Sequence, residues 1–150
     1  MNIETLRQEI EADEGCKYET YLCSENKLTG GIGHLILGTD AVYDKPIGSS
    51  IPENQVQEWF KKDVQVAIND CMALFDNFDS LPEDIQHVLI NMSFQLGKPR
   101  LSKFKKLIAA TNKEDYSEMA IQMQDSRWFK QTQNRAQRLI DRVLKQSIPV

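Results

Sequence analysis

The segment from Ser50 to Phe75 constrains the fold of this chain more than any other. Val56, Trp59, Phe60, Val64, Ala67, Ile68, Cys71 and Phe75 recur at steps of three and four. That is the spacing of one helix face and not the alternation of a strand. "SIPE" at Ser50 to Glu53 has the Ser-x-x-Glu spacing of a capping box, with Pro52 in the first turn. The spacing predicts one long helix over about 51–76 that links two lobes.

The chain on either side has different periods. Residues 2–13 place Ile3, Leu6 and Ile10 at helical spacing behind Asn2, a candidate N-cap, and stop at Gly15. This short helix delivers Glu14 at its C-terminal end. Across 17–36, Tyr18, Tyr21, Leu28, Ile32 and Ile36 mix with Gly30, Gly31 and Gly33, as in short antiparallel strands joined by tight turns. Residues 37–49 are rich in turn formers. Beyond the long helix, helices are predicted over about 81–96 (opened by Ser80 and Pro82), 101–111, 115–124, 126–130 and 134–146. The fold class is α+β in a single domain, 1–150, with a small sheet lobe over about 1–50 and a helical lobe over about 77–150.

Charge is unevenly divided. Residues 1–97 carry 6 Lys+Arg against 17 Asp+Glu, a balance of −11, and residues 98–150 carry 12 against 5, a balance of +7. The basic part suits an anionic polymer, either nucleic acid or a cell-wall glycan, or else two solvated faces that attract each other. Three cysteines (Cys16, Cys23, Cys71) and two distant histidines (His34, His87) lack zinc-site spacing, so no metal is expected. The N-terminus has no secretory h-region, and no apolar run approaches the ~20 residues of a membrane span. The expectation is a cytosolic protein with no stable membrane insertion.

Hydrolysis of a glycosidic bond needs a protonated carboxyl for the leaving oxygen and a second group that activates water, commonly a second carboxylate. Glu14 fits the acid if burial favours its neutral form. Cys23 stands where the second carboxylate is wanted. It reads as a small buried hydrophobe, as the nucleophile of a Cys–His peptidase or amidase with His34, or as a water-positioning group. "TGGIGH" lacks both the Gly-Lys-Ser/Thr ending of a P-loop and G-x-G-x-x-G spacing, so a nucleotide role is not indicated.

Glu14, eight intervening residues, Cys23, five more, Thr29 and then "GGIGHL" resemble the catalytic signature of the phage-type lysozymes, the endolysins of glycoside hydrolase family 24. "INMSFQLG" at 90–97 and "SRWFKQTQNRAQRLI" at 126–140 are similar to two further segments of that family, in the same order. The resemblance implies a lysozyme fold. It also implies hydrolysis of the β-1,4 bond between N-acetylmuramic acid and N-acetylglucosamine of peptidoglycan, without a cofactor. Glu14 then matches the general acid, Cys23 an Asp/Cys position, and Thr29 the residue that holds the attacking water. Leu35, Phe94 and Gln95 match groove positions, Arg135 a basic residue near the acid, and His34 with Asp63 a structural ion pair.

Departures from the family pattern lie in the shortened stretch between His34 and Phe60, which implies loss of a flanking helix. Others are Gly30, expected to loosen the turn after Thr29, and Leu107 and Gln122, which replace Ser and Asn in the groove. The resemblance further implies a monomer that acts on the wall from the host cytoplasm once a membrane-permeabilising holin has opened the way, or alternatively a virion-borne lysozyme domain, with no nucleic-acid partner. The alternative is a lysozyme-fold binding module for glycan or protein that has lost turnover at Cys23.

Overall fold

The computed structural model describes residues 1–147. Two compact units divide the chain, Asn2–Gln65 and a second beginning at Val66, and the division falls inside the long helix. The architecture is α+β and lysozyme-like: a three-stranded antiparallel sheet in the first unit, helices through the second, and α2 (Glu53–Leu74) joining them.

In the first unit, α1 (Ile3–Glu14) begins where the Asn2 side-chain oxygen accepts the Thr5 N–H at 3.0 Å. It ends at Gly15, whose φ of 78° turns the chain out while its N–H bonds the Glu11 carbonyl at 2.8 Å. The sheet follows as β1 (Lys17–Leu22), β2 (Leu28–Gly31) and β3 (His34–Leu35). Tyr21 lies opposite Thr29, and Thr29 opposite Leu35. Cross-strand partners project on one face, so these three side chains form a row across the sheet.

The β1–β2 turn is closed by the Cys23 N–H to the Lys27 carbonyl at 2.9 Å and the Asn26 N–H to the Cys23 carbonyl at 2.8 Å. Gly31 and Gly33 take the left-handed region in the turn to β3, with φ of 59° and 61°. No helix occupies 36–52, in keeping with the shortened stretch. Leu6, Ile10, Ile32, Val56, Trp59 and Phe60 make up most of this unit's buried apolar set.

The second unit is built on α3 (Glu83–Leu96), which is buried on nearly every face and carries Gln86, His87, Asn91 and Ser93 inside along with its apolar side chains. A single 3-10 turn, Phe78–Ser80, precedes it, and the Gln86 amide satisfies three carbonyls there, those of Phe78, Asp79 and Leu81. Four short helices follow, α4 (Lys98–Leu101), α5 (Lys105–Asn112), α6 (Tyr116–Gln124) and α7 (Arg127–Gln131). Last comes α8 (Gln133–Ser147), whose Ala136, Leu139, Ile140 and Val143 form one buried stripe. Arg142 on α8 pairs with Asp84 on α3 at 2.8 Å, and the Asp84 carboxyl is held below its usual range chiefly by that hydrogen bond.

Three expectations are corrected. The long helix starts at Glu53 and not at 51, because Ser50 bridges Glu19 and the Ile51 N–H bonds the Tyr18 carbonyl at 2.7 Å. Strand pairing has taken the backbone that a capping box would use. The helix over 101–111 is two helices, α4 and α5. Ser102 and Lys103 close the last turn of α4, their N–H groups bonding the Lys98 and Arg100 carbonyls at 2.8 and 3.2 Å.

Gly30 does not loosen its turn. A Cβ built there would collide with the Ile51 side chain and lie 3.4 Å from that of Ile36, so the missing side chain lets the core close over the strand. Gly30→Ala is expected to cost about 1–3 kcal/mol by overpacking, and Ile51→Val in the same chain to recover much of it. Urea unfolding of both variants measures this.

Candidate active site

Each member of the candidate site in the first unit is placed by a local backbone device. Glu14 is the last residue of α1, and its half-buried carboxyl lies against the β2–β3 turn. A Cβ on Gly33 would come within 2.6 Å of Glu14 Oε1 and 3.0 Å of its Cδ. Glycine at 33 therefore serves twice, by accepting a φ of 61° and by leaving room for the acid.

Cys23 is the residue at which β1 gives way to the turn. Its thiol is drawn below the ordinary value mainly by the Lys27 backbone N–H, with the Glu25 N–H and the Thr29 hydroxyl adding to this against a smaller effect of burial. Thr29, 6% exposed, also donates that hydroxyl proton to the Lys27 carbonyl at 2.8 Å. One proton thus has two acceptors: the carbonyl holds it while Cys23 is a thiol, and a thiolate competes for it. Cys23 is only half-buried, so the reading as a small buried hydrophobe does not hold for it. That description belongs to Cys71, which is fully buried and whose thiol burial pushes up to about 12.

Tyr21 was not singled out from the sequence and belongs in the same place. Its phenol is raised by burial and then by the negative charges of Glu14 and Cys23, so it stays protonated beside both groups at neutral pH. Lys17 sits 4.4 Å above its ring. The strand register, with Tyr21 facing Thr29, is the signal that finds it.

His34 has no capacity left to serve Cys23. Its Nδ1 meets Asp63 Oδ2 at 2.7 Å and its Nε2 meets Asp40 Oδ2 at 3.0 Å. The ring also stacks on Trp59 with centroids 4.2 Å apart, and the Trp59 indole N–H donates to Asp40 Oδ1 at 3.2 Å. This overturns the Cys23–His34 peptidase reading, because both imidazole nitrogens are already engaged. The His34–Asp63 pair is present, and Asp40 adds a second carboxylate that no periodicity announced.

Leu35 extends the Thr29 row and is 48% exposed. The other groove residues lie in the second unit. Phe94 and Gln95 are half-buried near the end of α3, where Gln95 accepts the Trp128 indole N–H at 2.9 Å. Gln122 donates to Glu118 at 2.8 Å along α6. Arg135 on α8 donates through Nε to Asn91 on α3 at 2.9 Å. Leu107 is 1% exposed and packs as core, so it offers a sugar no surface. Among the described residues no group of three or more His, Cys, Asp or Glu is arranged to hold a metal ion, and no helix is long and apolar enough to cross a membrane.

The His34 cluster has a definite pH signature. Burial alone would lower the imidazole, but the hydrogen bonds and charges of Asp63 and Asp40 outweigh it and raise it above its ordinary value. A raised histidine contributes stability that is complete below about pH 6.5 and is lost as pH climbs through the folded value. Asp40 is depressed: burial opposes this, while the bonds from the Leu37 N–H, His34 and Trp59 prevail. Its contribution is present above the usual carboxylate value and lost as pH falls through the folded one. Asp40→Asn is therefore expected to cost about 1–3 kcal/mol at pH 6. That cost shrinks as pH rises past the His34 titration, as urea unfolding between pH 5 and 10 can establish.

The sequence profile of the phage lysozyme family matches residues 11–145. Probable T4-type lysozyme 2 of Dictyostelium discoideum is 31% identical over 92% of this chain and 92% of its own length. The pre-baseplate central spike protein Gp5 of Enterobacteria phage T4 is 26% identical over 90% of this chain and 27% of its own. For peptidoglycan hydrolase gp36 of Pseudomonas phage phiKMV the identity is 24%, over 91% and 15%. With nine-tenths of its length matched and a lysozyme-like fold, the chain belongs to the phage lysozyme family.

Proposed function

We propose that the protein is a muramidase that hydrolyses the β-1,4 bond between N-acetylmuramic acid and N-acetylglucosamine of peptidoglycan. The observation that carries this reading is the convergence at one small sheet of a carboxyl seated against Gly33 and of the Cys23 thiol and the Thr29 hydroxyl, whose ring neighbour Tyr21 feels the charges of both Glu14 and Cys23. Family membership and a relative named as a peptidoglycan hydrolase support the substrate class.

In the proposed reaction Glu14 donates its proton to the leaving glycosidic oxygen as the bond to the anomeric carbon breaks. Thr29 and Cys23 orient the water that attacks that carbon. The water's proton passes to the thiolate when Cys23 is ionised and to solvent when it is not. Leu35, Phe94, Gln95, Gln122 and Arg135 are assigned to holding the glycan strand. The biological role that goes with this chemistry is host-cell lysis by a monomeric enzyme, released from the host cytoplasm to the wall by a holin.

Glu14→Gln is expected to abolish release of reducing sugar from purified peptidoglycan, and full activity in this variant would remove the assignment. Gly33→Ala, which crowds the Glu14 carboxyl, should lower kcat at least about tenfold, in line with misplacement of a reacting group. Cys23→Ser should remove the limb of the pH–rate profile that rises with thiol ionisation. Cys23→Asp should move that limb further down, from the already lowered thiol titration toward the carboxylate range. An unchanged rate and profile in Cys23→Ser would show that the thiol has no part in the reaction.

A further inference from the structure

β1 does not run straight past β2. Lys17 lies opposite Gly31 and Tyr21 opposite Thr29, so the four steps between the first pair of positions match only two on the partner strand. Positions that far apart on a regular strand are separated by about 13 Å, whereas the partner strand covers about 7 Å here. The two extra residues bow out as a bulge, and the segment before α2 takes up their backbone. The Thr20 N–H bonds the Ser49 carbonyl at 3.0 Å, the Gly48 N–H the Thr20 carbonyl at 2.9 Å, and the Ile51 N–H the Tyr18 carbonyl at 2.7 Å. Bulges re-aim side chains and recur beside active sites. This one brings the Lys17 ammonium to 4.4 Å from the centroid of the Tyr21 ring, on the strand position that faces Thr29.

No group of the protein uses the phenol so placed. Tyr116 donates its hydroxyl to Glu114 at 3.4 Å. For the half-buried Tyr21, no protein group among the described residues accepts the O–H, and no carboxylate pairs with Lys17. Burial, and then the negative charges of Glu14 and Cys23, keep the proton on the Tyr21 oxygen. The phenol is therefore a donor throughout the neutral range. Tyrosine hydroxyls withdrawn from solvent ordinarily find a partner, and one set beside a reacting acid and thiol without a protein partner is available to substrate.

We propose that Tyr21 is a substrate-contacting residue, which donates its O–H to the C2 acetamido carbonyl of the sugar whose anomeric carbon reacts. The assignment rests on the muramidase reading of the same site. In that reaction Glu14 meets the leaving oxygen while Cys23 and Thr29 hold the water, on opposite sides of the anomeric carbon. A phenol beside both groups reaches what flanks that carbon, and two acceptors do so, the ring oxygen and the acetamido carbonyl. The ring oxygen gives its lone pair to the carbon as the oxocarbenium-like transition state forms, so a donor there would oppose the reaction. The carbonyl remains a full acceptor throughout. Its hydrogen bond with Tyr21 stops the sugar from turning about the reacting centre, and orientation of that kind acts on kcat more than on KM. Tyr21 thereby selects 2-acetamido sugars over their de-N-acetylated forms, whose protonated amine offers no acceptor.

The test is a cycle of two proteins and two substrates: wild type and Tyr21→Phe, each on purified peptidoglycan and on the same material chemically de-N-acetylated. Phenylalanine keeps the ring and its contact with Lys17, and circular dichroism checks the fold. On the acetylated wall Tyr21→Phe is expected to lower kcat at least about tenfold while KM moves less than about threefold. On the de-N-acetylated wall the two proteins should agree within about twofold, because the acceptor is gone from both. A loss of equal size on both substrates, or no loss on either, overturns the proposal. If the wild type releases no reducing sugar from either wall, the muramidase reading fails, and titration calorimetry of the same four combinations with soluble glycan strands decides the contact separately. Tighter binding of the acetylated strand by wild type alone upholds it, and equal binding by the two proteins overturns it.

Discussion

The imidazole of His34, held between Asp63 and Asp40 and laid against Trp59, is the contact on which the first unit depends. It ties β3 to α2 and to the turn-rich segment after the sheet, three pieces of chain that have few other polar reasons to stay together. A two-residue edge strand such as His34–Leu35 has too few ladder hydrogen bonds to stand alone. Anchored at His34, it defines where the β2–β3 turn lies, and that turn supports the acid. The electrostatics of one buried ring therefore reach the Glu14 carboxyl through backbone geometry, without touching it.

The helices and the strands solve different problems here. Through α3 and α8 the second unit stabilises itself by burying apolar side chains, and its polar contacts pin those helices to their neighbours through Gln95–Trp128, Asn91–Arg135 and Asp84–Arg142. In the first unit, close approaches matter more than bulk. Gly30 admits Ile51 to the sheet surface and Gly33 admits Glu14. A core built on such approaches is sensitive to single added methyl groups, whereas the helical unit is sensitive to removed ones.

What could be read from the sequence follows from the range of each interaction. The Asn2 cap, the Glu14 helix end and the glycine-bearing strand pattern from Tyr18 to Ile36 are local, and local chemistry is written in neighbouring residues. Spacing of Glu14, Cys23 and Thr29 carried the family resemblance for the same reason. Ser50 shows the limit, since its capping signal was real in composition but lost to a bridge with Glu19, a partner 31 residues away. Asp40 left no trace because a carboxylate in a turn has no period, and its role depends on a ring six residues back and an indole nineteen ahead. The break between α4 and α5 was hidden because "LSKFKKLIAA" keeps helical spacing across a turn that tertiary packing imposes.

The single hydroxyl proton of Thr29 makes the hairpin part of the chemistry. While the sulfur is neutral, that proton fastens the Lys27 carbonyl and stiffens the turn from 23 to 27. When the sulfur gains charge it competes for that proton, and the turn shares one of its fasteners with the thiolate. Charge on the sulfur and closure of the turn are thus coupled through one proton, so whatever ionises Cys23 also draws on a bond that holds the hairpin together.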